Sequence, residues 1–227
     1  MRNLLVFGAA VGCAGLASAG SFQQVQTQSF GPQAPNFTTG LVFNQFNGDL
    51  ADLTSIEVII DLSVSGGSAS VDNDGETSTS VDVEFGTSLG ISSMDVTLLD
   101  GAFDPVSAGV SVLTNPTLML AANDGDDITQ FDSGGPDFAM VSGLDGMDMD
   151  AGFINALFFS DYVGGGTFTI NAIAETEFSI SGGSAVQGSF VNQIASGSVT
   201  VIYNFIPAPG AAALFGLGGL AAARRRR

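Results

Sequence analysis

Apolar and polar residues alternate along Ile56–Val64, with Ile56, Val58, Ile60, Leu62 and Val64 separated by Glu57, Ile59, Asp61 and Ser63. Successive side chains of an extended chain point to opposite faces, so this period of two predicts a strand with one buried face. The pattern returns in Val81, Val83 and Phe85 around Asp82 and Glu84, in Phe168, Ile170, Ala172 and Ala174, in Phe178 and Ile180, and in Val199, Val201, Tyr203 and Phe205. The clusters SGGSAS, DNDGE, NDGDD, SGGPD, VGGGT and SGGS separate these runs and supply Gly, Asn and Asp where turns need positive φ. Roughly eight to twelve short strands at this spacing predict an all-β fold, a two-sheet antiparallel β-sandwich of jelly-roll-like type. Within it only Ala151–Tyr162, AGFINALFFSDY, has room for a helix of any length. Most of the 18 Phe lie in this body, and with the β-branched runs they provide enough apolar surface to fold despite the high Ser and Gly content.

Charge is distributed unusually. All 23 Asp and Glu fall between residues 20 and 206, whereas the five basic residues are Arg2 and Arg224–Arg227, and there is no His. The body therefore carries a formal charge of −23 with no internal cation. Nucleic acid and anionic membrane surfaces are excluded as partners, because binding them requires Lys and Arg. Carboxylates that approach one another must be spread through solvent, neutralised by metal or partly protonated.

The two ends read as address labels, and they divide the chain into residues 1–19, 20–205 and 206–227. Met1–Ala19 combines Arg2, an apolar run from Leu4 to Leu16, and small residues at Ala17 and Ala19, the order of a secretory signal cut after Ala19 by signal peptidase. Ala10–Cys13 is a poor match to a lipoprotein cleavage site; with Cys13 the only cysteine, cleavage after Ala19 leaves none. Gly210–Ala223 is uncharged, and as a helix it would be roughly 21 Å long against a hydrocarbon core of ~30 Å. Pro207 and Pro209 precede it and Arg224, Arg225, Arg226 and Arg227 follow, a basic end that stays cytoplasmic during transient membrane association. A short apolar tail behind a processing site is the arrangement of anchors whose tail is removed.

Ile206-Pro207-Ala208-Pro209, the apolar helix and the terminal Arg cluster together resemble the PEP-CTERM sorting signal of bacterial surface and exopolysaccharide-associated proteins, with Pro209 where that signal usually has Glu. The resemblance implies an exosortase-type protease as partner, cutting near the motif. A second resemblance rests on Gln26–Phe30, Leu41–Phe46, Leu53–Ile56, Phe131-Asp132, Gly165–Phe168 and Val199–Tyr203, and spans most of residues 22 to 205. These segments resemble the choice-of-anchor E domain, a secreted bacterial β-rich module. That family implies no known activity and offers no catalytic residues to carry over.

Without His, Lys or a mature Cys, neither a Ser-His-Asp triad nor a His-ligated zinc site can form. Paired carboxylates could hydrolyse glycosides, but no pair stands out from the spacing. Calcium is the metal that flexible acidic loops take, since it prefers six to eight oxygen ligands. The candidates are Asp72, Asn73, Asp74 and Glu76; Asn123, Asp124, Asp126 and Asp127; and Asp145, Asp148 and Asp150, none in the order of an EF-hand loop. The alternative is Asx-rich turns bonding their own backbone. Met147 and Met149 read as a half-buried edge, and the sequon Asn36-Phe37-Thr38 as coincidence.

Two functions follow from different classes. The first is an exported, non-enzymatic bacterial protein with a structural or adhesive role at the cell surface or in an exopolysaccharide matrix. The second is a carbohydrate-binding module or a carboxylate-based glycoside hydrolase. The absence of Trp and the presence of only two Tyr count against the second, because sugar-binding faces stack aromatic rings on pyranose rings.

Overall fold

The computed structural model of the chain describes residues 20–107, 109–125, 131, 133–191 and 193–207. The expected signal helix with Ala17 and Ala19, the tail from Ala208 and Pro209 to Arg224–Arg227, and the acids Asp126, Asp127 and Asp132 lie outside the described residues.

The described residues form strands β1 (Phe22–Gln33), β2 (Phe37–Asn44), β3 (Leu53–Ser65), β4 (Ser68–Asn73), β5 (Thr79–Ser92) and β6 (Val110–Thr114) in the first half of the fold. The second half contains β7 (Thr117–Leu120), β8 (Phe138–Ser142), β9 (Gly146–Phe153), β10 (Thr167–Ser181), β11 (Val186–Val191) and β12 (Ile194–Phe205). They make three antiparallel sheets rather than the expected two. One has the order β1-β12-β3-β9, the second β2-β10-β5-β6 with β7 also on β5, and the third β11-β4-β8. No helix among the described residues is long and apolar enough to cross a membrane.

The third sheet continues the first across a break. Ser65 faces Ile194 on one side of the break and Ser68 faces Val191 on the other, while Val64 faces Gly146 and Ser68 faces Ser142. The pairing register is therefore unchanged although the ladder is interrupted at Gly66-Gly67, at residues 143–145 and at Gln193. Glycine is required at this line. Gly67 has φ +79°, and a Cβ there would lie 2.4 Å from Gln193 Cγ.

The five-stranded sheet is covered by both of the others. Leu41, Phe43, Phe168, Ile170 and Leu89 pack with Ile56, Val58, Ile60, Leu62, Val199, Val201 and Tyr203 in one core. Val81, Val83, Phe85 and Leu120 pack with Ala69 and Val71 in a second. On β5 the boundary falls at Thr87, between Phe85 and Leu89, where the buried hydroxyl donates to buried Gln193 Oε1 at 2.7 Å.

The alternation on β3, β5 and β12 matches these faces, as do Phe168, Ile170, Ala172 and Ala174 on β10. Phe178 is only marginally covered and stacks on Phe190, with ring centroids 5.6 Å apart. The stretch 151–162, which has room for a helix, is not a helix throughout. Residues 151–153 complete β9 against β3, and only Ala156–Tyr162 turns, as a 3-10 helix capped by Asn155 Oδ1 accepting from Leu157 N. Three residues per turn set Phe159 and Tyr162 on one face, and both are buried.

On β9 the expected facing is reversed. Met147 and Met149 are 78% and 65% exposed, while Asp148 and Asp150 are half-buried. The inward face of this edge strand is crowded, since a Cβ on Gly146 would lie 2.7 Å from Val112 Cγ1 and one on Gly152 would lie 2.9 Å from Val106 Cγ1. Asp148 uses the position to accept from Ser111 N of β6 at 3.0 Å.

Candidate functional site

Two of the three acidic runs meet at one end of the small sheet. β4 is its central strand, so Asp72 lies between Gln187 of β11 and Phe138 of β8 and is buried. Beyond β4 the chain turns through residues 74–78 into β5, and β7, paired on β5 with Leu120 opposite Thr79, releases the chain beside that turn. The segment after β7 returns to β8 through Pro136 and Asp137.

Backbone bonds join these loops. Asn123 N donates to Gly75 O at 2.9 Å, Asn73 N to Asp137 O at 3.2 Å, Asp74 N to Ala185 O at 2.8 Å and Ala121 N to Pro136 O at 3.1 Å. Buried Asn73 ties them further, its Nδ2 donating to Thr77 O and Ala121 O and its Oδ1 accepting from Gly75 N. That last bond, and Asn123 Oδ1 accepting from Gly125 N at 2.7 Å, are Asx turns, so the asparagines of these runs serve their own backbone.

The carboxylates are less well satisfied. Asp137 has 0% exposure; its Oδ2 accepts from Asp124 N at 2.9 Å, and its Oδ1 is enclosed without a partner. Asp74 Oδ1 is also enclosed without a partner. A Cβ built on Gly135, at φ +83°, would lie 2.6 Å from both Asp124 Oδ2 and Asp137 Oδ1, so the two oxygens are at most twice that distance apart. Among the described residues no three carboxylates close on a single point.

Of the remaining candidates, Glu76 is exposed on the same turn. Asp145 is exposed between β8 and β9, and Asp150 Oδ1 accepts from Ala151 N at 2.8 Å on β9. Asp148 and Asp150 therefore belong to another sheet and do not join the other two runs. Asp137 was missed in the sequence because SGGPD reads as a turn; its burial depends on a loop closing over it.

Among the described residues one carboxylate pair of the acidic loops can be weighed against a glycosidase arrangement. Asp124 and Asp137 are close enough, but Asp137 has no exposure to a substrate. The surface depression lined by Asn36, Phe37, Thr38, Ile173 and Ala174, and that lined by Ser88, Gly90, Gly109 and Ser111, each include a single carboxylate, Glu175. Tyr162 and Tyr203 are both buried, their hydroxyls donating to Thr97 O at 2.8 Å and Asn44 O at 3.1 Å. Burial pushes both phenols well above the ordinary tyrosine value.

Of the sorting motif, Ile206 and Pro207 are described. Ile206 follows β12 directly, and its N–H donates to Asp52 O at 2.8 Å. Asn36 of the sequon is built into the fold, its Oδ1 accepting from Thr176 N at 3.1 Å and its Nδ2 donating to Thr176 Oγ1 at 3.2 Å.

No protein-family model matches the chain, and no curated protein does. Among solved structures it is similar to the VP2 subviral particle of infectious bursal disease virus, at 16% identity and a TM-score of 0.18 over 82% of this chain and 38% of that one. The Gx strain of the same virus matches at 14% identity and a TM-score of 0.18, over 83% of this chain and 37% of that one. The chain thus spans well under half the length of these capsid chains, and superposition at this level carries no functional information.

Proposed function

We propose that this chain is an exported bacterial protein, delivered to the cell surface or extracellular matrix by a signal-peptidase and exosortase-type route, with a structural or adhesive rather than catalytic role. The observation that carries the reading is the placement of charge. A body of 23 acids and no cation lies between a signal-like leader and a Pro-bounded apolar tail ending in four arginines. The motif Ile206–Pro209 starts immediately after β12, so a protease cutting there would leave the sheet intact. The strand rows β1-β12-β3-β9 and β2-β10-β5-β6 support the reading of residues 20–205 as a jelly-roll β-sandwich. The burial of both tyrosines leaves Phe as the only aromatic available to stack on a sugar, which favours this reading over a carbohydrate-active one.

Intact mass spectrometry of the protein from cells and medium tests the route at both ends. The expected mature species begins at Gly20 and lacks Arg224–Arg227. A secreted species that retains the arginines removes the sorting half of the proposal, and one that retains residues 1–19 removes the export half.

A further inference from the structure

Asp137 is a carboxylate with no exposure and an unpartnered Oδ1, and that oxygen shares a small space with Asp124 Oδ2. Burying an ionised carboxylate is costly unless an opposite charge or hydrogen bonds compensate. Among the described residues Asp137 Oδ2 accepts from the N–H of Asp124; Oδ1 has no partner, and residues 3–223 contain no Lys, Arg or His that could serve. The surrounding loops are nevertheless firmly tied, by four backbone bonds and the buried Asn73 side chain. Asp137 is therefore held in place by the fold, and Asp124, itself exposed to solvent, sets its Oδ2 beside the enclosed oxygen. A cation would meet both oxygens at once, and oxygens on irregular acidic loops suit calcium better than magnesium, which demands near-ideal octahedral geometry and gives up its waters reluctantly.

We propose that Asp137 Oδ1 and Asp124 Oδ2, beside the turn that joins β4 to β5, are the charged ligands of a calcium site. Backbone carbonyls and water complete the coordination. Asp74, whose Oδ1 is likewise enclosed, lies on the adjoining turn and adds to the negative field. With two charged ligands the site is a weak one, in the range of extracellular modules, with Kd about 10⁻⁴–10⁻³ M. Of the three acidic runs in the sequence, the third takes no part.

The test uses the purified full-length protein, stripped with chelator and then titrated with calcium chloride in a calorimeter. Thermal melts run in parallel with magnesium chloride and with sodium chloride at matched ionic strength. Calcium at ten times Kd should raise the melting temperature by about 3–6 °C beyond the sodium control, and magnesium by less. D137N and D124N should each weaken calcium binding at least about tenfold, since even groups that only orient a ligand contribute that much. E76Q removes the same charge from an exposed position on the adjoining turn after β4 and should bind calcium as the parent does. Coincident calcium and sodium melts with no calorimetric heat would overturn the proposal. Equal losses in E76Q and D137N would also overturn it, by showing a diffuse field instead of a site. Should D137N not fold, D124N carries the same decision.

Discussion

The hydroxyl of Thr87 on β5 donates to Gln193 Oε1 at 2.7 Å, joining two side chains buried between the two cores, and Gln193 Nε2 has no partner. This pair marks the line at which the sheet opposite β5 is interrupted. Thr87→Val would orphan the second end of the amide and should cost about 1–3 kcal/mol. Adding Gln193→Leu should recover most of that loss, because replacing both partners by apolar groups removes the unmet demand. Urea unfolding of the two singles and the double checks this; simple additivity would contradict it.

Gly66 and Gly67 lie at the same line with similar φ, +74° and +79°, yet only Gly67 is crowded, by Gln193 Cγ at 2.4 Å. Gly66→Ala should cost about 1 kcal/mol from backbone strain alone. Gly67→Ala should cost more, and a Gln193→Ala background should return it close to the Gly66→Ala value. Equal losses for both alanines in the parent would show that the side-chain contact contributes nothing.

Tyr162 and Tyr203 are the only tyrosines, and both phenols are raised in the folded state. A raised pKa means that the folded protein holds its proton where the unfolded chain releases it. Their contribution to stability is therefore complete below the unfolded value of about 10 and declines as pH rises above it. Tyrosinate absorbance should appear together with loss of β-sheet circular dichroism. Tyrosinate forming in a protein that keeps its full β signal would contradict the burial argument.

With 23 acids and no cation in the body, self-repulsion opposes the compact state. Screening shortens its reach from ~30 Å at 0.01 M salt to about 8 Å at 0.15 M. The urea midpoint in sodium chloride should rise over that interval. A falling midpoint would mean that attractive surface pairs outweigh the repulsion.

Strand identity was legible in the sequence wherever one face is buried. Along residues 56–64 and 199–205 each side chain's exposure follows from its parity, because pleating alternates residues whatever the strand pairs with. On β9 the alternation holds but the facing is the reverse of the one expected. There the outer face carries Met147 and Met149, and the inner one carries Asp148 because Ser111 N on β6 meets its carboxylate. The stretch 151–162, open to a helix in the sequence, divides between strand and 3-10 helix because pairing to β3 claims its first residues.

The sequence by itself determined the all-β class, the charge imbalance and the runs of acids at turns, since these depend on local alternation, composition and turn chemistry. Tertiary structure decided that the sheet opposite β5 breaks at Gly67 and Gln193, and that Asp124 and Asp137 meet while Asp148 and Asp150 do not. The physical reason is range. Asp137 is held by Asn73 at the end of β4 and by Asp124 after β7, and no short window of sequence contains those partners together.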